Sequence, residues 1–446
     1  MISKKLLLVK FILSSDNENK IYKDCGIEIE NDKIVSIRRF TYDEINSFKG
    51  EVVNGYNLVA VPGFIQTHLH LCQTLFRGLA DDLQLLDWLQ YRIFPFENAH
   101  DKNSLRISAQ LGLNELIKGG TTTILDMGTL KHQEVIFDEL SKSGIRAFAG
   151  KCMMDENELY PGFCQSTNDE LKITNELAKE FHNNSDGRIK YGFAPRFVLS
   201  CSTELLTATK EMMKDFEGSI FHTHASENTG ECAEVRSRHG VENIEYFDRM
   251  DLLNDHTVLA HCVHLNDDEI DILKNTNSRV SHCPSSNLKL GSGIADIPRL
   301  MKNGINVSLG ADGAPCNNEL SIFQEMRLAS LIQKPIYGAN SMDALSVFRL
   351  GNIEGAKALH IDNITGSIEV GKKADIVLMD LSTSDMPVIV DDNNLYSSIV
   401  YNASKNNVKD VFINGEHLIK NRTSIYDEEK IMCQGKEELT ELLKRI

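Results

Sequence analysis

The chain reads as an α/β protein: a (β/α)8 TIM barrel with a small β-sandwich built from both termini. Three observations predict it. Segments near both ends alternate apolar and polar residues between turn signals, the period of half-buried strands. Between them, about eight short apolar runs alternate with amphipathic helical patterns, as a closed parallel barrel inside a ring of helices requires. Those runs end repeatedly in His, Arg, Glu or Asp, and the C-terminal tips of its strands are where such a barrel assembles a site. The expected division is residues 1–60 as the N-terminal part of the sandwich, 61–364 as the barrel and 365–446 as the C-terminal part of the sandwich.

Along the chain, MISKKLLLVKFIL imitates a secretory leader, with two lysines before an apolar run. Lys10 interrupts that run and no small-residue cleavage pattern follows, so a first strand is expected instead. CGIEIENDKIVSIRRF holds two alternating runs around Asn31-Asp32, a hairpin signal. Barrel strands are expected in LVAVPGFIQTHLH, TTTILDM, RAFAGKCM, IKYGFAPRF, SIFHTHASE, TVLAHCVHL, RVSHCPSSN and NVSLGADGA. Helical patterns such as SLRISAQLGLNELIKGG and LSIFQEMRLASLIQK lie between or after them, the first stopped by Gly119-Gly120. GSIEVGKKADIVLMDL and VKDVFINGEHLIKNR return to strands and turns.

The bulk composition narrows the classes of function. With 41% hydrophobic and 25% charged residues and only 9 Pro among 446, the chain is an ordinary globular sequence without low-complexity segments. A formal charge of -17 argues against nucleic acid and anionic membranes as partners, because those associations depend on Lys and Arg neutralising phosphate. No run of ~20 apolar residues is present to span a bilayer. The ten cysteines stand singly, with no CxxC pair, as suits a reducing compartment. The expectation is a cytoplasmic, homo-oligomeric enzyme acting on a small molecule.

His68 and His70 in THLH stand two apart on a strand, so both rings project from one face. That spacing alone is a weak metal signal. His224 in HTHASE offers a third nitrogen and Asp312 in GADGAP a hard oxygen. Three imidazoles with one carboxylate leave a position for water, as a catalytic zinc site needs.

VPGFIQTHLH, HASE, AHCVHL and GADGAPCNN stand in the order of the motifs of the amidohydrolase superfamily. The stretch SHCPSSNLKLGSGIADIPRLMKNGINVSLGADG is similar to 5'-methylthioadenosine/S-adenosylhomocysteine deaminases almost without gaps. Over essentially its whole length the chain resembles the aminohydrolase branch, the adenosine-type, guanine and triazine deaminases. The resemblance implies one divalent metal, zinc first and iron second, on His68, His70, His224 and Asp312. It makes Glu227 the carboxylate that passes a proton to the heterocycle, and His261 the imidazole that stays off the metal and polarises the attacking water. The same resemblance implies that Asp312 both ligates and helps move protons. His222, His264 and His282 have no such match and are expected to be structural.

For the substrate, the resemblance divides. Glu97 in FPFENAH matches the carboxylate that accepts ribose hydroxyls in adenosine-type deaminases. Arg196-Phe197 and Gln73 resemble guanine deaminases instead, with Gln73 against the purine edge, Arg196 donating to the base and Phe197 free to stack on it. Trp88 in DDLQLLDWLQ falls where related enzymes form a lid. The expected reaction is hydrolytic deamination of an aminopurine with release of ammonia. An adenosine-type nucleoside (5'-deoxyadenosine, 5'-methylthioadenosine or S-adenosylhomocysteine) comes first, guanine second, and a triazine chloro- or aminohydrolase third. On this reading Glu97→Ala weakens adenosine-type turnover strongly, whereas for guanine loss of Glu97 matters only through packing and Arg196→Ala costs most.

Overall fold

Residues 3–389, 391–392 and 394–446 are described by the computed structural model of the protein. Eight parallel strands stand in sequence order around a barrel: Phe64–His70, Thr121–Asp126, Arg146–Ala149, Ile189–Pro195, Ile220–Ala225, Thr257–His261, Arg279–His282 and Val307–Leu309. The eighth strand closes the ring. Val307–Leu309 pairs with the seventh strand, and Asp312–Gly313 just beyond it pairs in parallel with Leu69 and His70 of the first. The barrel centre is filled by small polar groups that satisfy one another: the Thr67 hydroxyl lies 2.7 Å from both Ser281 and Ser308. Each of the eight expected segments contains its strand.

The first of those segments serves two sheets. Glu51–Pro62 belongs to the terminal sheet and Phe64–His70 to the barrel, with Gly63 as the joint. A Cβ at Gly63 would stand 2.1 Å from Thr122 Oγ1, so only glycine lets the chain pass this close to the second barrel strand. The helix Lys102–Lys118 begins where Asp101 accepts the N–H groups of Asn103 and Ser104, and it ends at Gly119. Gly120 then turns into the second strand at φ +82°.

The termini combine into one β unit. Its seven strands run in the order Glu416–Ile419, Val408–Ile413, Ile376–Met379, Glu51–Pro62, Lys4–Leu13, Ile21–Glu30, Lys33–Arg38. The sandwich is thus one continuous mixed sheet rolled over its apolar face. Ile34 near one edge and Phe412 near the other share a core with Leu7, Ile12, Ile27 and Leu378, and the Ile34 N–H donates to the Lys372 carbonyl at 2.9 Å. The expected hairpin is there, with Asn31 at φ +54° supplying the left-handed turn. The C-terminal segment departs from an all-β reading. Glu428–Leu443 is a helix capped by Asp427 that packs on Lys102–Lys118 of the barrel, with Ile431, Gly435 and Leu442 buried. The Asp cap and the apolar spacing of IYDEEKIMCQGKEELTELL were the available signals. Barrel and sheet are tied by a buried ion pair, Arg146 donating to Asp375 Oδ2 at 3.0 and 3.2 Å. Among the described residues, no helix is long and apolar enough to cross a membrane.

Candidate metal centre and active site

Five groups converge at the C-terminal end of the barrel. His68 and His70 leave the first strand, His224 the fifth, His261 the sixth, and Asp312 follows the eighth. His68, His224, His261 and Asp312 offer ligand atoms all within 4.8 Å of one another. His70 joins them, its Nε2 3.4 Å from Asp312 Oδ1 and 3.3 Å from His224 Nε2. Asp312 and His261 hold left-handed backbone, φ +63° and +75°, a conformation that costs a non-glycine residue about 1–3 kcal/mol and aims both side chains inward.

Distance alone does not separate His70 from His261, but the two oxygens of Asp312 do. Oδ1 faces His68 Nε2 at 3.2 Å and His70 Nε2 at 3.4 Å. Oδ2 faces the other way, accepting from the Ser286 hydroxyl at 2.6 Å and lying 3.9 Å from His261 Nε2. His261 Nε2 is also 3.5 Å from Glu227 Oε2. One side of Asp312 therefore gathers imidazoles, and the other gathers an imidazole with a carboxyl.

The tautomers follow from carbonyl partners, which only accept. His222 Nδ1 donates to the Val258 carbonyl at 3.2 Å, which leaves Nε2 bare to accept from His68 Nδ1 at 2.8 Å. His68 Nε2 is then itself a bare lone pair, buried and without a hydrogen-bond partner among the described residues. His224 Nδ1 donates to the Arg196 carbonyl at 2.6 Å, so its Nε2 is bare as well. His261 Nδ1 lies 2.8 Å from Asn287 Oδ1, an acceptor, and its buried Nε2 has no hydrogen-bond partner among the described residues. Buried lone pairs facing an ionised carboxylate repel one another, and a cation among them removes the repulsion. This donor set fits a divalent metal.

Burial holds His68, His70 and His224 below the ordinary imidazole range, the neutral form a ligand needs. Burial works to raise Asp312, but His68, His261 and His70 outweigh it and hold the carboxyl well below its usual range. Glu227 goes the other way: burial first, then the charge of Asp312, raises its carboxyl well above the carboxylate range and favours the protonated acid.

A small cavity lies beside the cluster, walled by Gln73, Leu85, Trp88, Leu89, Arg196, Phe197, Glu227 and Glu231. Four of the five expected substrate residues thus stand in its wall. The fifth, Glu97, is behind it. Arg196 grips Glu97 with both guanidinium nitrogens, at 2.8 and 3.3 Å, and Gln73 donates to Glu97 Oε1 at 2.7 Å. The pair is 3% and 1% exposed. The expectation that Glu97 and Arg196 act independently is therefore corrected: they are one buried unit, and removing either leaves the other charge unpaired. Trp88 reaches the cavity wall from Leu85–Trp88, which is followed by Leu89–Ile93 and Phe94–Asn98.

Four supporting residues escaped the sequence reading. His222, expected to be merely structural, orients His68. Asn287 orients His261. Asp126 accepts the Leu71 N–H at 2.8 Å and pins the strand end that carries His70. Glu231 accepts the Glu227 N–H at 2.7 Å, and burial followed by the nearby Glu227 pushes its carboxyl up to about 8. Only Glu231 had a readable signal, the capping box formed with Asn228. His264, donating to the Ser292 carbonyl at 2.7 Å, is structural as expected. Because His222 sets the tautomer of His68, His222→Ala is expected to weaken metal affinity ~10–100-fold. Competition with a chelator measures this, and unchanged affinity would remove His222 from the site.

The chain is 35% identical to the 5-methylthioadenosine/S-adenosylhomocysteine deaminase of Thermoanaerobacter pseudethanolicus, over 98% of this chain and 100% of that one. It is 38% identical to the 5'-deoxyadenosine deaminase of Methanobrevibacter smithii, over 93% of each. The crystal structure of a zinc-bound adenosine deaminase from Xanthomonas campestris superposes with a TM-score of 0.91 at 27% identity, covering 99% of both chains. Residues 59–418, from the last strand before the barrel to the last strand of the terminal sheet, match the Amidohydrolase family, and the chain belongs to that family.

Proposed function

We propose that the protein is a metal-dependent hydrolase that deaminates an adenosine-type nucleoside, with one divalent ion, zinc in the first place, held by His68, His70, His224 and Asp312. The observation that carries the reading is the division of Asp312: imidazole nitrogens meet at Oδ1, while the Glu227 carboxyl, whose acid form burial favours, and His261 Nε2 meet on the side of Oδ2. The chemistry such an ion supplies is Lewis acidity, which brings the ionisation of water down to about pH 7. Each remaining step belongs to the chain. His261 Nε2, bare because Nδ1 is committed to Asn287, accepts the hydrogen bond of the attacking water. Glu227 protonates the ring nitrogen next to the amino-bearing carbon, which makes that carbon electrophilic. As the C–O bond forms and the C–N bond breaks, Asp312 Oδ2 and Glu227 take up the two water protons; one passes to the departing amine, which leaves as ammonia, and the other restores the acid form of Glu227, while the ring nitrogen keeps the proton it received.

The substrate class rests on two supports. Relatives at 35% and 38% identity over nearly the whole chain are deaminases of adenosine-type compounds. The guanine reading is also narrowed, because Arg196 spends two of its five N–H groups on Glu97. A carboxylate accepts about four hydrogen bonds. Four reach Glu97, three at Oε1 from Cys72, Gln73 and Arg196 and one at Oε2 from Arg196, so a ribose hydroxyl would bind at Oε2 once the wall in front of it opens. The cavity beside the metal groups, about 20 Å³, holds roughly one water. A nucleoside needs a wider cavity than this, and the wall carrying Leu85, Trp88 and Leu89 is where we place the opening that admits it and then excludes solvent.

Protein purified without added metal is expected to carry one equivalent of zinc or iron, to lose ammonia release when stripped and to regain it on reloading. Full activity in metal-free protein would end the proposal. Ammonia release compared across 5'-deoxyadenosine, methylthioadenosine, S-adenosylhomocysteine and guanine tests the substrate. A preference for guanine above ~10-fold in kcat/KM, or about 1.4 kcal/mol, would reverse the order. The same reading has the enzyme in the cytoplasm as a homo-oligomer, in keeping with ten unpaired cysteines, and light scattering reads the assembly directly.

A further inference from the structure

On the opposite face of the barrel stands a second group of metal-binding side chains that the deaminase reading does not use. Asp255 and His256 immediately precede the sixth barrel strand, Thr257–His261, and His360 follows the helix Ile353–Ala358. The strand is five residues long, so at ~3.3 Å per residue this group lies ~16 Å from the catalytic end. The rings of His256 and His360 are stacked, with centroids 4.0 Å apart and planes 7° from parallel. One nitrogen of each ring and one Asp255 carboxylate oxygen lie within 4.8 Å of one another.

The hydrogen bonds of the two rings have the pattern seen at the catalytic centre. His256 Nδ1 donates to the Ser219 carbonyl at 3.2 Å, and His360 Nε2 donates to the Asp255 carbonyl at 2.6 Å. Each ring spends its one N–H on a backbone oxygen, so the neutral imidazoles are left with bare lone pairs at His256 Nε2 and His360 Nδ1. His360 achieves this from φ +54°, at a helix end where glycine or asparagine is the usual residue. Both rings are half-buried and Asp255 is exposed. Ligand atoms around one tetrahedral ion stand ~3.3 Å apart, and imidazole lone pairs lie in the ring planes, so closure asks for shifts on the order of 1 Å together with a tilt of the two parallel rings toward a common point.

We propose that Asp255, His256 and His360 form a second cation site, on the face remote from catalysis, which takes a borderline transition metal such as Zn²⁺ and completes its coordination with water. Two imidazoles with one carboxylate favour that class over Mg²⁺ or Ca²⁺, which prefer all-oxygen ligation. The ion clips the loop leading into the sixth barrel strand to the turn after Ile353–Ala358. It acts on stability and leaves turnover alone. The proposal is independent of the deaminase reading.

The test titrates enzyme whose catalytic metal is already in place with Zn²⁺ and, in parallel, with Mg²⁺, by calorimetry and thermal melting. One further equivalent of Zn²⁺ and a higher Tm are expected, with no uptake of Mg²⁺. His360→Asn tolerates the left-handed backbone, and His256→Phe keeps an aromatic ring in the stack. Each variant should lose the extra equivalent and the rise in Tm while ammonia release is unchanged. No extra equivalent in the wild type, an extra equivalent that both variants retain, or equal uptake of Mg²⁺ would each overturn the site. A failed metal requirement for deamination with a normal second equivalent would instead count only against the catalytic reading.

Discussion

Glu227→Gln is expected to retain its metal and lose at least ~100-fold in turnover, the usual scale for general acid–base catalysis. The substitution is nearly isosteric, and neither oxygen of Glu227 is held by a hydrogen bond among the described residues apart from its 3.5 Å approach to His261. The backbone position of residue 227 is fixed independently, by the bond from its N–H to Glu231. Structure and metal content should therefore survive while the proton donor disappears. Metal analysis and single-turnover ammonia release check the two halves of this expectation. Near-normal turnover in a variant that still holds its metal would remove Glu227 from the chemistry.

The second large effect concerns the Arg196–Glu97 pair. Glu97→Ala leaves a guanidinium, and Arg196→Ala a carboxylate, buried without its partner, and breaking such a pair costs about 3–5 kcal/mol. Each single variant should unfold at markedly lower denaturant concentration and lose activity on any purine. The double replacement Glu97→Gln/Arg196→Met, which removes both charges, should recover much of that stability. If the two single losses simply add in the double variant, the residues are not coupled as the geometry requires. A double variant that is stable but inactive on 5'-deoxyadenosine would assign the remaining role of Glu97 to the ribose. The pairing explains why the single substitutions cannot discriminate nucleoside from guanine, as motif matching alone had suggested.

The sequence determined the architecture and the groups that converge. Strand segments are short enough to carry their own period, and a residue at a strand's C-terminal tip is bound to face the common end of the barrel once the ring closes. His68, His70, His224, His261, Asp312 and Glu227 could therefore be named from position and motif. The final helix and the rolled form of the terminal sheet were less legible. Whether Glu428–Leu443 lies on the barrel or in the β unit depends on which apolar face is left uncovered, a property of the assembled layers. Tertiary structure alone decided the partnerships. His222 and His68 are 154 positions apart, Glu97 and Arg196 99, and no local pattern links them. Those contacts set which nitrogen is bare, which carboxyl is neutral and which charge is already spent. Protonation and pairing respond to distance and burial in three dimensions, and neither quantity is written in the order of residues.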